Sequence, residues 1–165
     1  DQFNAGEALV NGIEFLLNYN LVKNDKIKIP ISFAYTLTNA RFQSDFGSTQ
    51  DIWGEVKKGN RIPYISMHQF NSLISLFTNR FQVNLSVNYN GKYTTLAGGQ
   101  GISNIDEIPS NVIFDISSKF KINKNFNIST KIINLFDKEY SVSFVPAGLR
   151  PGHPFGVYGG IEYDF

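Results

Sequence analysis

The 165-residue sequence contains no cysteine, which excludes disulfide staples and thiolate metal sites. It has one Met, one Trp, and no apolar run near the roughly 18 residues that a membrane helix needs. The formal net charge is only +1, so no strong field attracts nucleic acid, and none is expected as a partner. The two histidines, His68 and His153, stand far apart, and neither has a metal-ligand partner at helical spacing. No Ser occupies a G-x-S-x-G elbow. Gly98-Gly-Gln-Gly101 lacks the Lys and the following helix of a phosphate loop, and reads as a flexible loop tip. These absences predict no catalytic residue, no metal site and no cofactor bound by this segment.

Aromatic residues are plentiful, with 15 Phe and 8 Tyr. Aromatic and β-branched residues favour strands. Most of the chain alternates with period two. From Phe81, the residues Phe81, Val83, Leu85, Val87 and Tyr89 oppose Gln82, Asn84, Ser86, Asn88 and Asn90. From Val112, the set Val112, Phe114, Ile116, Phe120 and Ile122 opposes Asn111, Asp115, Ser117, Lys119 and Lys121. A helix does not keep such a split for a dozen residues. The pattern predicts an all-β chain of about seven antiparallel strands in meander order, near 7–21, 27–42, 64–78, 81–95, 110–122, 126–136 and 155–165. The strand near 64–78 fits least well, because Leu73 and Phe77 fall on its polar face.

The connections alternate in length. Lys23–Lys26, Asn79-Arg80 and Asn123–Asn125 read as tight turns, whereas 43–63, 96–109 and 137–154 are long. Short turns on one side and long loops on the other suit an outer-membrane β-barrel. Such a barrel alternates lipid-facing and lumen-facing residues, so its mean hydropathy looks ordinary. A soluble lipocalin-like barrel shows the same periodicity with its faces inverted, and a passive outer-membrane barrel shares the membrane pattern. The last residues favour the membrane. Phe155, Val157, Ile161, Tyr163 and Phe165 share one face of a final strand that ends on an aromatic, as a barrel-closing strand does. Seven strands cannot close a barrel with both termini on one side, and the pattern is already running by Gly6. Residues 1–165 are therefore expected to be the C-terminal segment of a larger transmembrane barrel.

Two motifs sharpen this reading. Asn134-Leu-Phe-Asp-Lys-Glu-Tyr140 resembles the NLFD-K-x-Y motif of TonB-dependent outer-membrane receptors. Pro146-Ala-Gly-Leu-Arg-Pro-Gly-His-Pro154 resembles their Arg-Pro-Gly-x-Pro segment before the final strand, with Phe155 where the family often has Arg. The final strand also resembles the signature read by the barrel-assembly machinery. Ala34–Phe42, Gly59–Pro63 and His68-Gln69 resemble the ferric-citrate-type branch. The resemblance implies an active importer of a ferric chelate, iron-citrate or another siderophore. It implies a missing N-terminal plug that contacts the TonB complex, and a bacterial outer-membrane location with the C-terminus in the periplasm. Outer-membrane lipid and lipopolysaccharide are then further partners. Physically, Phe136 and Tyr140 are expected at the strand's exit from the bilayer, Asp137 in an Asx-type turn, and Gly152 at positive φ. Arg61 and Arg150 are candidate ligand contacts, because guanidinium binds carboxylate bidentately. His153, beside Arg150, is a third. His68 is expected to be a structural residue at the rim, and Lys119, Lys121 and Lys131 to line the lumen.

Overall fold

The computed structural model describes residues 6–47, 54–97, 107–144 and 148–165. Strands are numbered in chain order. Seven form one antiparallel sheet: β1 (Ala8–Lys23), β2 (Ile27–Phe42), β5 (His68–Thr78), β6 (Phe81–Asn90), β9 (Asn111–Lys121), β10 (Phe126–Ile133) and β13 (Gly156–Tyr163). Each pairs with its neighbour in sequence, in the order β1-β2-β5-β6-β9-β10-β13. Six shorter strands lie in the long loops as three two-stranded hairpins: β3 (Phe46–Gly47) with β4 (Glu55–Val56), β7 (Tyr93–Thr94) with β8 (Glu107–Ile108), and β11 (Ser141–Ser143) with β12 (Arg150–Pro151). Among the described residues there is no helix.

The expected strand boundaries hold at most ends and fail at three. The fourth strand stops at Asn90 and not at 95, with Tyr93–Thr94 leaving the main sheet to pair in a loop hairpin. The third strand begins at His68 and not at residue 64, because Tyr64 has φ of 61°, outside the extended region. The sixth stops at Ile133 and not at 136, because Asn134 turns to φ of 48°. The tight turns form as expected, each closed by the side chain at its start. Asn24 Oδ1 accepts from the Lys26 and Ile27 amides at 2.9 and 2.8 Å. Asn123 Oδ1 accepts from Asn125 and Phe126 at 2.9 and 3.0 Å. Between β5 and β6 this role falls to Thr78, whose Oγ1 accepts from the Phe81 amide at 2.9 Å.

Register sorts the sheet into two faces. One unbroken cross-strand row runs Tyr19, Ile31, Ile74, Leu85, Ile116, Ile132 and Val157 through all seven strands. Aromatic contacts bracket this aliphatic row on the same face. Towards the long loops, Phe33 and Phe70 rings lie 5.8 Å apart, Phe70 and Tyr89 5.1 Å, and Phe114 and Phe136 5.1 Å. Towards the short turns, Phe81 meets Phe120 at 4.6 Å, and Tyr163 meets Phe165 at 5.2 Å. From Phe81 to Tyr89 along β6 the strand rises roughly 26 Å, or about 20 Å of height at a barrel's tilt, close to the apolar band of such barrels. The opposite face carries rows such as Asn18, Ser32, Leu73, Ser86 and Asp115. There Ser32 Oγ donates to Asn18 Oδ1 at 2.8 Å, and Asn84 donates to Ser117 Oγ at 3.1 Å. Leu73 does fall on this polar face, as its place in the sequence implied.

One irregularity matters. The register shifts between Asn20 and Val22, so Leu21 is an extra residue in β1. The bulge lies opposite Pro30, which has no N–H to give to a ladder and needs such a break inside a sheet. It also turns Lys23 onto the polar face, directly opposite Lys28.

A single sheet has no interior of its own. The buried apolar residues Phe42, Val56 and Ala97 cluster at the long-loop end, with Phe46 and Ile62 packed against them. Segment 59–62 folds back along the end of β2. There the Gly59 amide donates to the Phe42 carbonyl at 2.8 Å and the Phe42 amide to the Asn60 carbonyl at 3.0 Å. Arg41 completes the join, with Nη1 on the Gly59 carbonyl at 2.6 Å and Nε on Asn39 Oδ1 at 3.0 Å.

Candidate functional site

The three long loops fold into one cap over the end of the sheet. Tyr93 O–H donates to the Val142 carbonyl at 2.9 Å, which ties the second long loop to the third. The Tyr64 amide donates to the Thr94 carbonyl at 2.8 Å, and Ser143 Oγ to Tyr64 Oη at 3.5 Å, which ties in the first. The Tyr64 and Tyr93 rings lie 6.1 Å apart. Burial raises the Tyr93 phenol above its ordinary value, and Tyr64 adds to the rise.

The motif around Asn134 is a clasp. Asn134 is 2% exposed. Its amide N–H donates to Asp115 Oδ1 at 2.8 Å, and its Nδ2 donates to the carbonyls of Lys138 and His153 at 3.0 and 2.9 Å. Its Oδ1 accepts from the Lys138 amide at 2.9 Å. One side chain therefore ends β10, shapes the following turn and holds the segment that returns to β13. Asp137 does not make the local Asx turn expected of it: it has φ of 48°, and its Oδ1 accepts from the Phe155 amide at 3.1 Å across the clasp. Gly152 is not at positive φ. It is needed for space, since a Cβ there would overlap the Tyr140 ring. Tyr140 therefore does not face the bilayer. It packs on Gly152, and its hydroxyl accepts from the His153 amide at 3.2 Å. Phe136, 69% exposed against Phe114, is the outward aromatic the motif implied.

Arg61 and Arg150 both lie in the cap. Arg61 bridges Arg41 through the backbone, and Arg150 sits in β12 opposite Ser143. Among the described residues neither guanidinium has a hydrogen-bond or ion-pair partner, in contrast to Arg41. Their loops meet through Tyr64 and Ser143, but no contact joins Arg61, Arg150 and His153 to one another. The backbone of His153 is held on both sides by the clasp. Its Nδ1 donates to the Pro154 carbonyl at 2.8 Å, which leaves Nε2 as the acceptor of the neutral ring. His68 stacks on Tyr35 and shares a 2.8 Å hydrogen bond with its hydroxyl, a structural role at the strand's start. Lys119, Lys121 and Lys131 lie on the polar face; Lys119 pairs with Glu162. Gly98–Gly101, Pro146 and Ala147 fall outside the described residues. Among the described residues no group of three His, Asp or Glu side chains could hold a metal ion.

The sequence profile of the TonB dependent receptor-like β-barrel family matches residues 1–135. The chain belongs to this family. Its β-barrels are outer-membrane proteins, and its members and structural neighbours are receptors and transporters, not enzymes. The apolar face with its aliphatic row is the kind of face that such barrels turn to lipid, and family membership disfavours the soluble lipocalin-like alternative. The fold is similar to that of the siderophore receptor PiuA from Acinetobacter baumannii, with a TM-score of 0.76 and 20% identity over 97% of this chain and 22% of that one. It is also similar to the ferric yersiniabactin uptake receptor FyuA from Yersinia pestis, with a TM-score of 0.75 and 20% identity over 98% of this chain and 24% of that one. The ferric citrate transporter FecA in its unliganded form is similar at a TM-score of 0.65 and 15% identity, over 96% of this chain and 29% of that one. This chain thus spans about a quarter of the structures it resembles. No curated protein sequence matches it.

Proposed function

We propose that the chain is the C-terminal wall and outer cap of an active importer of a ferric chelate, iron-citrate or another siderophore, energised through TonB. One observation carries the reading. The apolar band ends, on one side only, in a cap of three joined loops that presents two guanidiniums without partners among the described residues, Arg61 and Arg150, with His153 beside the clasp. Such groups suit a polycarboxylate or other anionic chelate. In this reading the cap faces outside, the short turns and the C-terminus face the periplasm, and lipopolysaccharide surrounds the cap.

The rest of the machine lies outside this chain. β1 and β13 each have a hydrogen-bonded neighbour on one side only. In lipid an unpaired edge leaves N–H and C=O groups unsatisfied at several kcal/mol each. In the intact receptor these edges therefore pair with further strands, and a plug carries the TonB contact. Phe155, Val157, Ile161, Tyr163 and Phe165 then supply the apolar stripe that the barrel-assembly machinery reads.

The test is uptake of radiolabelled ferric citrate, and of a panel of ferric siderophores, by cells whose only receptor is the full-length protein. Energy-dependent uptake of one chelate is expected, with surface binding weakened at least about tenfold by Arg61→Gln with Arg150→Gln. Passive, energy-independent entry would instead support an ordinary outer-membrane pore.

A further inference from the structure

We infer that the short-turn half of the polar face is a second anion-binding surface, separate from the cap, that takes a polycarboxylate on its way through the barrel. The inference rests on the transport reading above for its biological setting, but not for its chemistry. Charge is unevenly spread over this face. Lys23, Lys28, Lys119, Lys121 and Lys131 all lie in its short-turn half, and Glu162 is the one carboxylate in the strands there. Glu162 pairs with Lys119. Lys23, Lys28 and Lys131 have no hydrogen-bond or ion-pair partner among the described residues. Asp115, which lines a neighbouring hollow together with Lys131, accepts from the Asn134 amide.

The placement of Lys23 is a cost the fold has accepted. Like charges directly opposite in an antiparallel pair repel. Were Leu21 held in a regular ladder, Lys23 would fall opposite Ile27 on the apolar face; because Leu21 bulges out of register, Lys23 stands opposite Lys28. The same cross-strand row continues through Phe77 and Gln82 to Lys119. Beside it is a recess of about 320 Å³ between β6, β9, β10 and β13, lined by Gln82, Asn84, Ser117, Ser129 and Lys131. Amide and hydroxyl donors around the Lys131 ammonium, with the Lys119–Glu162 pair at the edge, fit the oxygens of a small polycarboxylate. Lys28 lies three strand spacings from Lys119 along this row, roughly 14 Å, so Lys23 and Lys28 extend the positive strip beyond the recess.

The test uses the purified full-length receptor in detergent, with iron-free citrate as the probe, titrated by calorimetry in a background of Arg61→Gln with Arg150→Gln. Citrate is expected to bind, to weaken steeply with salt, and to lose about fivefold or more in affinity on Lys131→Gln and again on Lys23→Gln with Lys28→Gln. In cells, the lysine variants should slow energised uptake of ferric citrate and leave its surface binding unchanged. If cells take up no chelate, the transport reading fails, while the citrate titration still decides the lysines. Undiminished citrate affinity in the lysine variants would overturn the inference. So would a receptor that binds no citrate but loses thermal stability on Lys131→Gln, since protein carboxylates would then already cover these lysines.

Discussion

In the seven-stranded wall, apolar side chains point away from the protein; in the cap, they point at one another. Ile161 in the wall is 74% exposed, whereas Val56 in the cap is fully buried. The wall is held by its ladder of backbone hydrogen bonds and needs lipid to cover its outer row. The cap has a small core of its own, Phe42, Val56 and Ala97, with side-chain locks at Asn134, Tyr93 and Arg41. The two regions therefore answer to different solvents, one apolar and one aqueous, and should fail separately.

The largest separation should come from the cap's core. Phe42→Ala removes the side chain on which Val56 and Phe46 pack, and large-to-small aromatic changes cost about 3–5 kcal/mol. Hydrogen exchange should speed up across residues 40–62, while the β6 amides keep their protection. Next comes the wall. Ile116→Arg puts a charge in the middle of the aliphatic row and should destabilise the receptor by about 2–4 kcal/mol in urea titrations in lipid vesicles. Ser117→Arg, one residue on and facing the other way, should cost far less. Equal costs would erase the distinction between the two faces.

Asn134→Ala tests the join between wall and cap. It leaves the Lys138 amide and the His153 carbonyl without partners and forces Ala to φ of 48°, so a loss of about 1–3 kcal/mol is expected. Proteolysis between 134 and 155 should increase while β1 and β2 stay resistant. The smallest effect belongs to Tyr93. Its raised phenol means that the unfolded loop loses its proton first as pH climbs. The stability it contributes is full below about 10 and is lost as pH rises through the raised value. Tyr93→Phe removes the bond to Val142, at about 1 kcal/mol, and should abolish this alkaline loosening of the cap in hydrogen exchange.

The wall was legible in the sequence because period two is a local signal, repeated in most of the long strands and blurred only where Leu73 and Phe77 fall on the polar face of β5. The short turns were legible because Asn24 and Asn123 close them with their own side chains. The cap was not. Two-residue strands such as β7 and β12 carry no periodicity, and the contact of Tyr93 with Val142 joins residues 49 apart in sequence. Asn134 stood out as part of a motif, but its work as a clasp depends on burial. Gly152 was given a conformational role when it has a steric one, because the position of the Tyr140 ring cannot be read from spacing. The Lys119–Glu162 pair crosses two strand boundaries and needs the full register. The shift at Leu21 that turns Lys23 is likewise a tertiary fact, hinted at only by Pro30 in mid-strand.

The account stands on one claim: in the membrane, the odd-numbered residues of β6 meet lipid and the even-numbered ones meet water. A nitroxide scan of residues 81–90 in the full-length receptor, reconstituted in bilayers, measures this directly. Collisions with oxygen, which concentrates in lipid, should peak at Phe81, Val83, Leu85, Val87 and Tyr89. Collisions with a water-soluble nickel chelate should peak at Gln82, Asn84, Ser86, Asn88 and Asn90. The reversed phase, with oxygen favouring the even positions, would put the apolar face inside and contradict the assignment of this chain to a membrane-spanning wall.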